Sequence, residues 1–322
     1  MARSMKKLQA RLTIAFGVIL CLVALSLLAV PWAMQLKAAY DSARQAQAVE
    51  DIVAAWPEEK SRKALQAAEE YNAKLAQQGQ PTLGESYDPF TDTPVNAGED
   101  VRSDQDEEYM GLLNAGEGLM GSVVIPKISV DMPILHGTSK ISLSRGAGHL
   151  YGTSLPVGAG GAAGGSAHTV LTGHRGLAQA EMFTRLDELR IGDYMYEKVF
   201  GRTLAYRIDR ITVIEPTDTS KLRIEKGEDR LTLMTCTPFG VNTQRLLVSG
   251  VRVPMPPAPN PGQSDKDLTK IRQWAFILMA LTALLGLLIY RFAPPFRAAR
   301  QEAALHVKHR APNASSPPHS RR

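Results

Sequence analysis

Cys236 is the residue on which chemistry would turn. The chain holds two cysteines, and Cys21 lies in an apolar run near the start, so Cys236 is the lone thiol of the polar middle. Without a disulfide partner it is either a small buried hydrophobe or a nucleophile. It ends a β-type run, Leu231-Thr232-Leu233-Met234-Thr235-Cys236. Arg245 follows nine residues on, after the turn-rich stretch 237–242. Two antiparallel strands joined this way would set Cys236 and Arg245 side by side at one sheet edge. A guanidinium there favours the thiolate and offers fixed donors to a developing oxyanion. The plainer alternative is a solvated Arg opposite a core Cys.

A cysteine nucleophile needs an acid–base partner, usually an imidazole. The middle of the chain offers His136, His149, His168 and His174. His174 leaves a strand-like run within Thr172-Gly173-His174-Arg175-Gly176, whose glycines permit a tight exit and expose the ring. His136 and His149 also adjoin glycine, so position alone does not choose among them, and each would serve equally as a structural hydrogen-bonded residue. No two of these histidines stand at the His-x-x-x-His spacing of a metal site, so neither a catalytic metal nor another cofactor is expected.

The elements that must position these groups follow from composition. Of 322 residues, 44% are apolar and 21% charged, which excludes a wholly disordered or collagen-like chain. Of the 37 Lys and Arg, five precede residue 38 and ten follow residue 265. Of the 32 Asp and Glu, none precedes 38 and two follow 265. The middle therefore carries a net charge of −8, and the overall +5 resides at the ends. It is no argument for nucleic-acid binding. Two uncharged apolar runs, 12–34 and 274–290, are each near the length a helix needs to cross a bilayer. Arg3, Lys6, Lys7 and Arg11 precede the first, and Arg291, Arg297, Arg300, Lys308 and Arg310 follow the second. The bias toward positive charge on the inside predicts cytoplasmic ends, 1–11 and 291–322, and an exported middle.

Residues 35–78 read as helix, in two pieces divided at Pro57. The stretch 79–108 is polar and rich in Gly, Pro and Asp, with no clear element, which suits either disorder or a functional loop. From 109 to 253 the pattern is strand-like, with short β-branched or apolar runs at 122–125, 132–135, 169–172, 194–199, 204–214, 231–235 and 246–253. One helical insert is expected at 180–189. Many strands and few helices predict a mainly β fold, a closed barrel or sandwich. The Gly/Ala tract 158–165 reads as a loop, with no Lys-Ser/Thr pair to make it a phosphate loop. A Pro-rich linker, 254–273, leads to the second apolar run.

Thr232-Leu233-Met234-Thr235-Cys236 resembles the TLxTC signature of sortases, the membrane-anchored cysteine transpeptidases of Gram-positive bacteria. The Arg nine residues on and the upstream Thr-Gly-His fit the same pattern. Gly148-His149-Leu150-Tyr151-Gly152-Thr153-Ser154-Leu155-Pro156, Leu171-Thr172-Gly173-His174-Arg175-Gly176 and Cys236-Thr237-Pro238-Phe239-Gly240-Val241-Asn242-Thr243 are similar to the class C, pilus-assembling branch. The resemblance implies a sortase-like closed β-barrel with short helices, an N-terminal helical region and two flanking transmembrane helices. It implies Cys236 as nucleophile, His174 as general acid/base and Arg245 as the stabiliser of the oxyanion or the sorting motif. The implied partners are proteins with LPxTG-like sorting signals and the Lys amine of a pilin acceptor.

Asp88-Pro89-Phe90, in the long loop, resembles the Asp-Pro-aromatic lid of pilin sortases. The resemblance implies Asp88 near Arg245 and the Phe90 ring over the thiol. An exposed Asp–Arg pair would contribute only ~0–1 kcal/mol, so the aromatic contact is expected to supply most of the closing bias. Two other functions share much of the pattern. A housekeeping-type sortase would use a peptidoglycan precursor as acceptor, and a non-catalytic tethered scaffold would use the barrel alone. The lid motif and second span argue against the first, and the joint presence of Cys, His and Arg against the second.

Overall fold

The computed structural model describes residues 2–85, 88–90, 102–160, 165–177, 180–256 and five residues between 276 and 284. Two compact units are distinguished, Met1–Ala24 with Lys266–Arg322, and Leu25–Asp265. The second holds every candidate site residue.

Helix α1 (Ala2–Ala54) and helix α2 (Glu58–Gln78) are separated at Pro57, which cannot donate to a continuing helix. α2 buries Leu65, Ala68, Asn72 and Leu75, one stripe at three- and four-residue spacing. It ends at Gly79 in the left-handed region (φ 75°), where the glycine N–H caps the Leu75 carbonyl. Asn72 docks this helix on the barrel. Its amide donates to the Leu155 and Gly158 carbonyls, both at 3.0 Å, and its oxygen accepts from the Leu155 N–H at 2.7 Å. Three of the four bonding capacities of this buried amide are met, so the contact fixes register as well as affinity.

Eight strands close a barrel in the order β1-β2-β3-β4-β7-β8-β6-β5. They are β1 (Leu119–Ile125), β2 (Val130–His136), β3 (Ala147–His149), β4 (Ala167–Thr172), β5 (Tyr194–Val199), β6 (Arg202–Ile214), β7 (Asp229–Thr237) and β8 (Gln244–Val253). β2·β3 and β4·β7 are parallel and the other neighbours antiparallel, so the barrel is mixed. Inward-facing residues such as Val123, Ile125, Ile134, Leu171, Leu231, Leu233 and Val248 fill it. A second, smaller cluster joins Leu83 of the long loop to Leu150, Ile214, Leu222 and Met234.

The expected helix at 180–189 is not formed. Its place is taken by turns and a 3-10 turn, Leu186–Glu188. Phe183, Leu186 and Leu189 all point inward, a spacing of three that suits the tighter winding. Met182, with φ 39°, interrupts any helix before it. Two short helices lie where none is expected. Helix α3 (Glu107–Gly111) begins at Asp106, whose carboxylate accepts the Tyr109 N–H at 3.0 Å. Helix α4 (Lys140–Arg145) begins at Ser139, whose hydroxyl accepts the Ser142 N–H at 3.1 Å. Among the described residues no helix is long and apolar enough to cross a membrane. The run 12–34 lies within α1, and most of 274–290 lies outside the described residues.

Candidate active site

Strands β7 and β8 are antiparallel neighbours, and their register pairs Cys236 directly with Arg245. The turn between them spends Asn242 in the left-handed region (φ 64°), a conformation Asn tolerates. The Arg245 guanidinium turns back on this loop, donating to the carbonyls of Asn242 (3.1 Å) and Gln244 (2.9 Å). On its other flank β7 runs parallel to β4, with Thr172 opposite Met234. Two residues further along each strand come His174 and Cys236. Thiol, guanidinium and imidazole are thus gathered at one barrel end by a parallel and an antiparallel pairing of the same strand.

Residues 88–90 of the long loop pack over this end. The Asp88 carboxylate accepts from Arg245 Nη2 at 2.6 Å and from the Phe90 N–H at 2.9 Å. The Arg245 guanidinium lies 4.9 Å from the Phe90 ring centre. Phe90 also meets the His174 ring edge-on, with centres 5.6 Å apart. The aromatic ring therefore engages the imidazole and the guanidinium. The side chains of Asp88 and Arg245 are only 3% and 2% exposed, so the solvent-exposed pair expected from sequence is replaced by a buried one. The discount for surface pairs no longer applies. A buried pair costs desolvation to form, but removing one partner leaves an uncompensated charge.

The anchor behind Asp88 is Glu85. Its Oε1 accepts from the Thr138 N–H (2.9 Å), the Thr138 hydroxyl (3.2 Å) and the Ser103 hydroxyl (2.9 Å). It ties both legs of the long loop to the β2–α4 connection.

The four histidines separate by environment. His168 Nδ1 faces the Arg223 carbonyl at 2.9 Å, and its Nε2 faces the Thr232 hydroxyl at 2.7 Å. His149 lies between the Tyr109 hydroxyl (2.9 Å) and the Ser154 carbonyl (2.8 Å). Burial drives both rings down to about pH 4. His136 bridges the carbonyls of Gly118 and Leu112. These three are braces of the barrel. His174 is half-buried, and among the described residues its ring nitrogens make no hydrogen bond. Partial desolvation lowers its pKa. Cys236, 3% exposed, is pushed up to about 11, first by burial; Arg245 and Arg175 oppose this and the Asp88 carboxylate adds to it. In this closed arrangement the thiol holds its proton.

Arg175 was not singled out by sequence, although it adjoins His174. It donates to the Thr237 hydroxyl at 3.2 Å and the Cys236 carbonyl at 3.4 Å, and pairs with Asp187 at 2.5 Å. Among the described residues no cluster of three metal-ligating side chains is found.

A closed mixed barrel carrying a buried thiol between an Arg on one neighbouring strand and a His beyond the other defines a class of cysteine acyl-transfer proteins. Comparison with known proteins gives the same class. Residues 123–253 match the Sortase domain family. The curated Sortase D of Bacillus subtilis (strain 168) is 31% identical over 136 residues, covering 41% of this chain and 63% of that protein. Sortase A of Bacillus anthracis is 25% identical over 132 residues and 59% of its length. The chain thus spans about three fifths of these curated relatives. Among solved structures, Streptococcus agalactiae sortase C1 in complex with MTSET is 39% identical, with a TM-score of 0.56, covering 67% of this chain and all of that one. Sortase C-1 from Actinomyces oris is 42% identical, with a TM-score of 0.51, over 61% of this chain and 99% of its own. The chain belongs to the sortase family.

Proposed function

We propose that this chain is a class C, pilin-polymerising sortase with Cys236 as nucleophile, His174 as general acid/base and Arg245 as stabiliser of the oxyanion or the bound sorting motif. His174 takes the Cys236 proton, and the resulting thiolate attacks the Thr–Gly carbonyl carbon of an LPxTG-like signal. Arg245 donates to the oxygen as it gains charge. Collapse breaks the Thr–Gly bond, His174 delivers the proton to the departing Gly amine, and a Thr thioester remains on Cys236. The Lys amine of a second pilin subunit attacks that thioester, loses a proton to His174 and releases the thiol with an isopeptide bond formed.

The buried Asp88–Arg245 pair under Phe90 is the observation that carries the class C reading. Asp88, Pro89 and Phe90 form a lid that occupies the guanidinium and covers the imidazole until substrate displaces them. A closed resting state lowers apparent affinity by the fraction of open molecules. The runs 12–34 and 274–290 anchor the enzyme in the membrane of a Gram-positive cell, with the barrel outside and both ends in the cytoplasm. The class C neighbours and the charge bias of the flanks support this placement.

The deciding experiment uses Cys236→Ala in the full chain, expressed with candidate surface proteins. Loss of both the thioester and the covalent high-molecular-weight ladder is expected, with the melting temperature retained. Ladders from the variant would overturn the nucleophile. A peptidoglycan amine in place of a Lys side chain in the cross-linked product would replace the pilin-polymerising reading with cell-wall anchoring.

A further inference from the structure

His174 and Cys236 belong to different strands, and the ladder that aligns those strands stops short of both. The register pairs of β4 and β7 end at Thr172 and Met234. Beyond them, other bonds take over the alignment. The Gly173 N–H donates to the Met234 carbonyl at 3.1 Å, and the Thr235 hydroxyl donates to the Gly173 carbonyl at 2.7 Å. The last contacts come from Arg175, whose Nη1 reaches the Thr237 hydroxyl and the Cys236 carbonyl while Nη2 holds Asp187.

The turn beneath is fixed too. A Cβ at Gly173 would come within 2.6 Å of the Phe183 ring, and the Phe183 N–H donates to the His174 carbonyl at 3.1 Å. The His174 turn is therefore seated on Phe183 from below and lashed to β7 from the side by Arg175. The Arg175 side chain is only 5% exposed. Its Nε is buried without an acceptor among the described residues, which is unfavourable. A neutral amide could reach one of the same oxygens at less cost. A planar fork can hold Asp187 and the β7 oxygens together while keeping a cation beside the thiol, where it favours the thiolate.

We propose that Arg175 is a positioning residue for the reaction: through the Cys236 carbonyl and the Thr237 hydroxyl it sets the end of β7 against the His174 turn, so that thiol and imidazole face the two atoms of the same scissile bond. This rests on the reading of Cys236 as nucleophile. Asp187 braces the clamp and takes no part in the chemistry.

The test uses the full chain in detergent. Three quantities are measured: turnover of an LPxTG-type peptide, alkylation of Cys236 by iodoacetamide from neutral to strongly alkaline pH, and melting. Alkylation is followed by mass spectrometry of the Cys236 peptide, which keeps Cys21 out of the signal. Arg175→Ala should lower kcat by about 10–100-fold, the scale of a misplacement near 1 Å, with KM changed less than about 3-fold. Its alkylation profile should move to higher pH. Arg175→Lys should keep the alkylation profile but not recover kcat, and Asp187→Asn should act like Arg175→Ala with a smaller effect. If Arg175→Ala does not fold, the other two variants carry the test. Full kcat in Arg175→Lys would reduce the role to charge and overturn the clamp. An unchanged alkylation profile in Arg175→Ala would also overturn it, whichever way the peptide assay falls. A wild type that alkylates but never forms a thioester would sink the transpeptidase reading separately.

Discussion

β7 begins and ends among buried charges, and its two ends treat them differently. At the Cys236 end, the buried Asp88 carboxylate meets a buried guanidinium at 2.6 Å. At the Asp229 end, Glu197 of β5 is fully buried with neither carboxylate oxygen bonded among the described residues. Its neighbour Asp229 accepts from the Tyr206 hydroxyl at 3.2 Å and the Ala159 N–H at 3.1 Å, and Arg252 stands 3.9 Å away. Burial, then Asp229, pushes Glu197 up to about 8. One end pairs its charges through the segment proposed as a displaceable lid; the other keeps its carboxyl neutral inside the barrel wall. The first arrangement suits a switchable site, and the second is a stability cost written into the barrel.

The comparison is sharpest where chemistry and stability should separate. Replacing His174 by Ala should slow turnover by ~10²–10⁴-fold, the usual worth of a positioned proton donor, while leaving the melting temperature near wild type. Retained turnover would move the acid elsewhere. Arg245→Lys keeps the charge but loses the fork that grips the Asn242 and Gln244 carbonyls, so a smaller loss of turnover is expected. Full activity there would mean that charge alone matters.

The Asp229 end should show the reverse. The unfolded Glu197 carboxyl ionises near 4.5 while the folded one keeps its proton to about 8. Unfolding releases a proton across that window, so stability falls as pH rises through it, by on the order of a few kcal/mol in total. Glu197→Gln should flatten this slope in melts taken between acid and mildly alkaline pH, with turnover unchanged. A slope identical to wild type would mean that Glu197 finds a partner when ionised.

The smallest effect belongs to the lid. Removing the Asp88 carboxylate from a rigid buried site would strand Arg245. A removable segment instead lets the guanidinium reach water. Asp88→Ala should therefore speed thiol labelling of Cys236 by about 3- to 10-fold, the scale of a pKa lowered by loss of a nearby anion, with little change in melting. Phe90→Ala should act in the same direction. A large drop in melting temperature with unchanged labelling would make this segment part of the fixed wall, and the contrast between the two ends would collapse.

Much of this was legible in residue patterns, for identifiable reasons. β5 is legible over its whole length because Gly192-Asp193 and Gly201 bound it as turn residues. The expected runs fall two residues short at each end of β7 and two short at the start of β8, where Asp229, Arg230, Gln244 and Arg245 interrupt the apolar pattern. β3 was missed because Ala147-Gly148-His149 has neither length nor alternation. The stretch 180–189 was misread because inward residues three apart mimic a helical stripe. Asp88-Pro89-Phe90 has the composition of a turn; only resemblance singled it out, and burial of the pair depends on contacts 157 residues apart. Glu197 carried an unread signal. In Met195-Tyr196-Glu197-Lys198-Val199 it occupies the inward register between Met195 and Val199, where a carboxyl is out of place.

β7 is flanked by β4 from Asp229 to Met234 and by β8 from Arg230 to Thr237. In the proposed reaction, a thioester on Cys236 would make the end of this strand the attachment point of a growing polymer. Tension along the strand axis would load both hydrogen-bond ladders in shear together, so no single bond could unzip first. Under that reaction the barrel would act as a mechanical grip as well as a scaffold for the site, and the Asn72 bonds to Leu155 and Gly158 would share the load with α2.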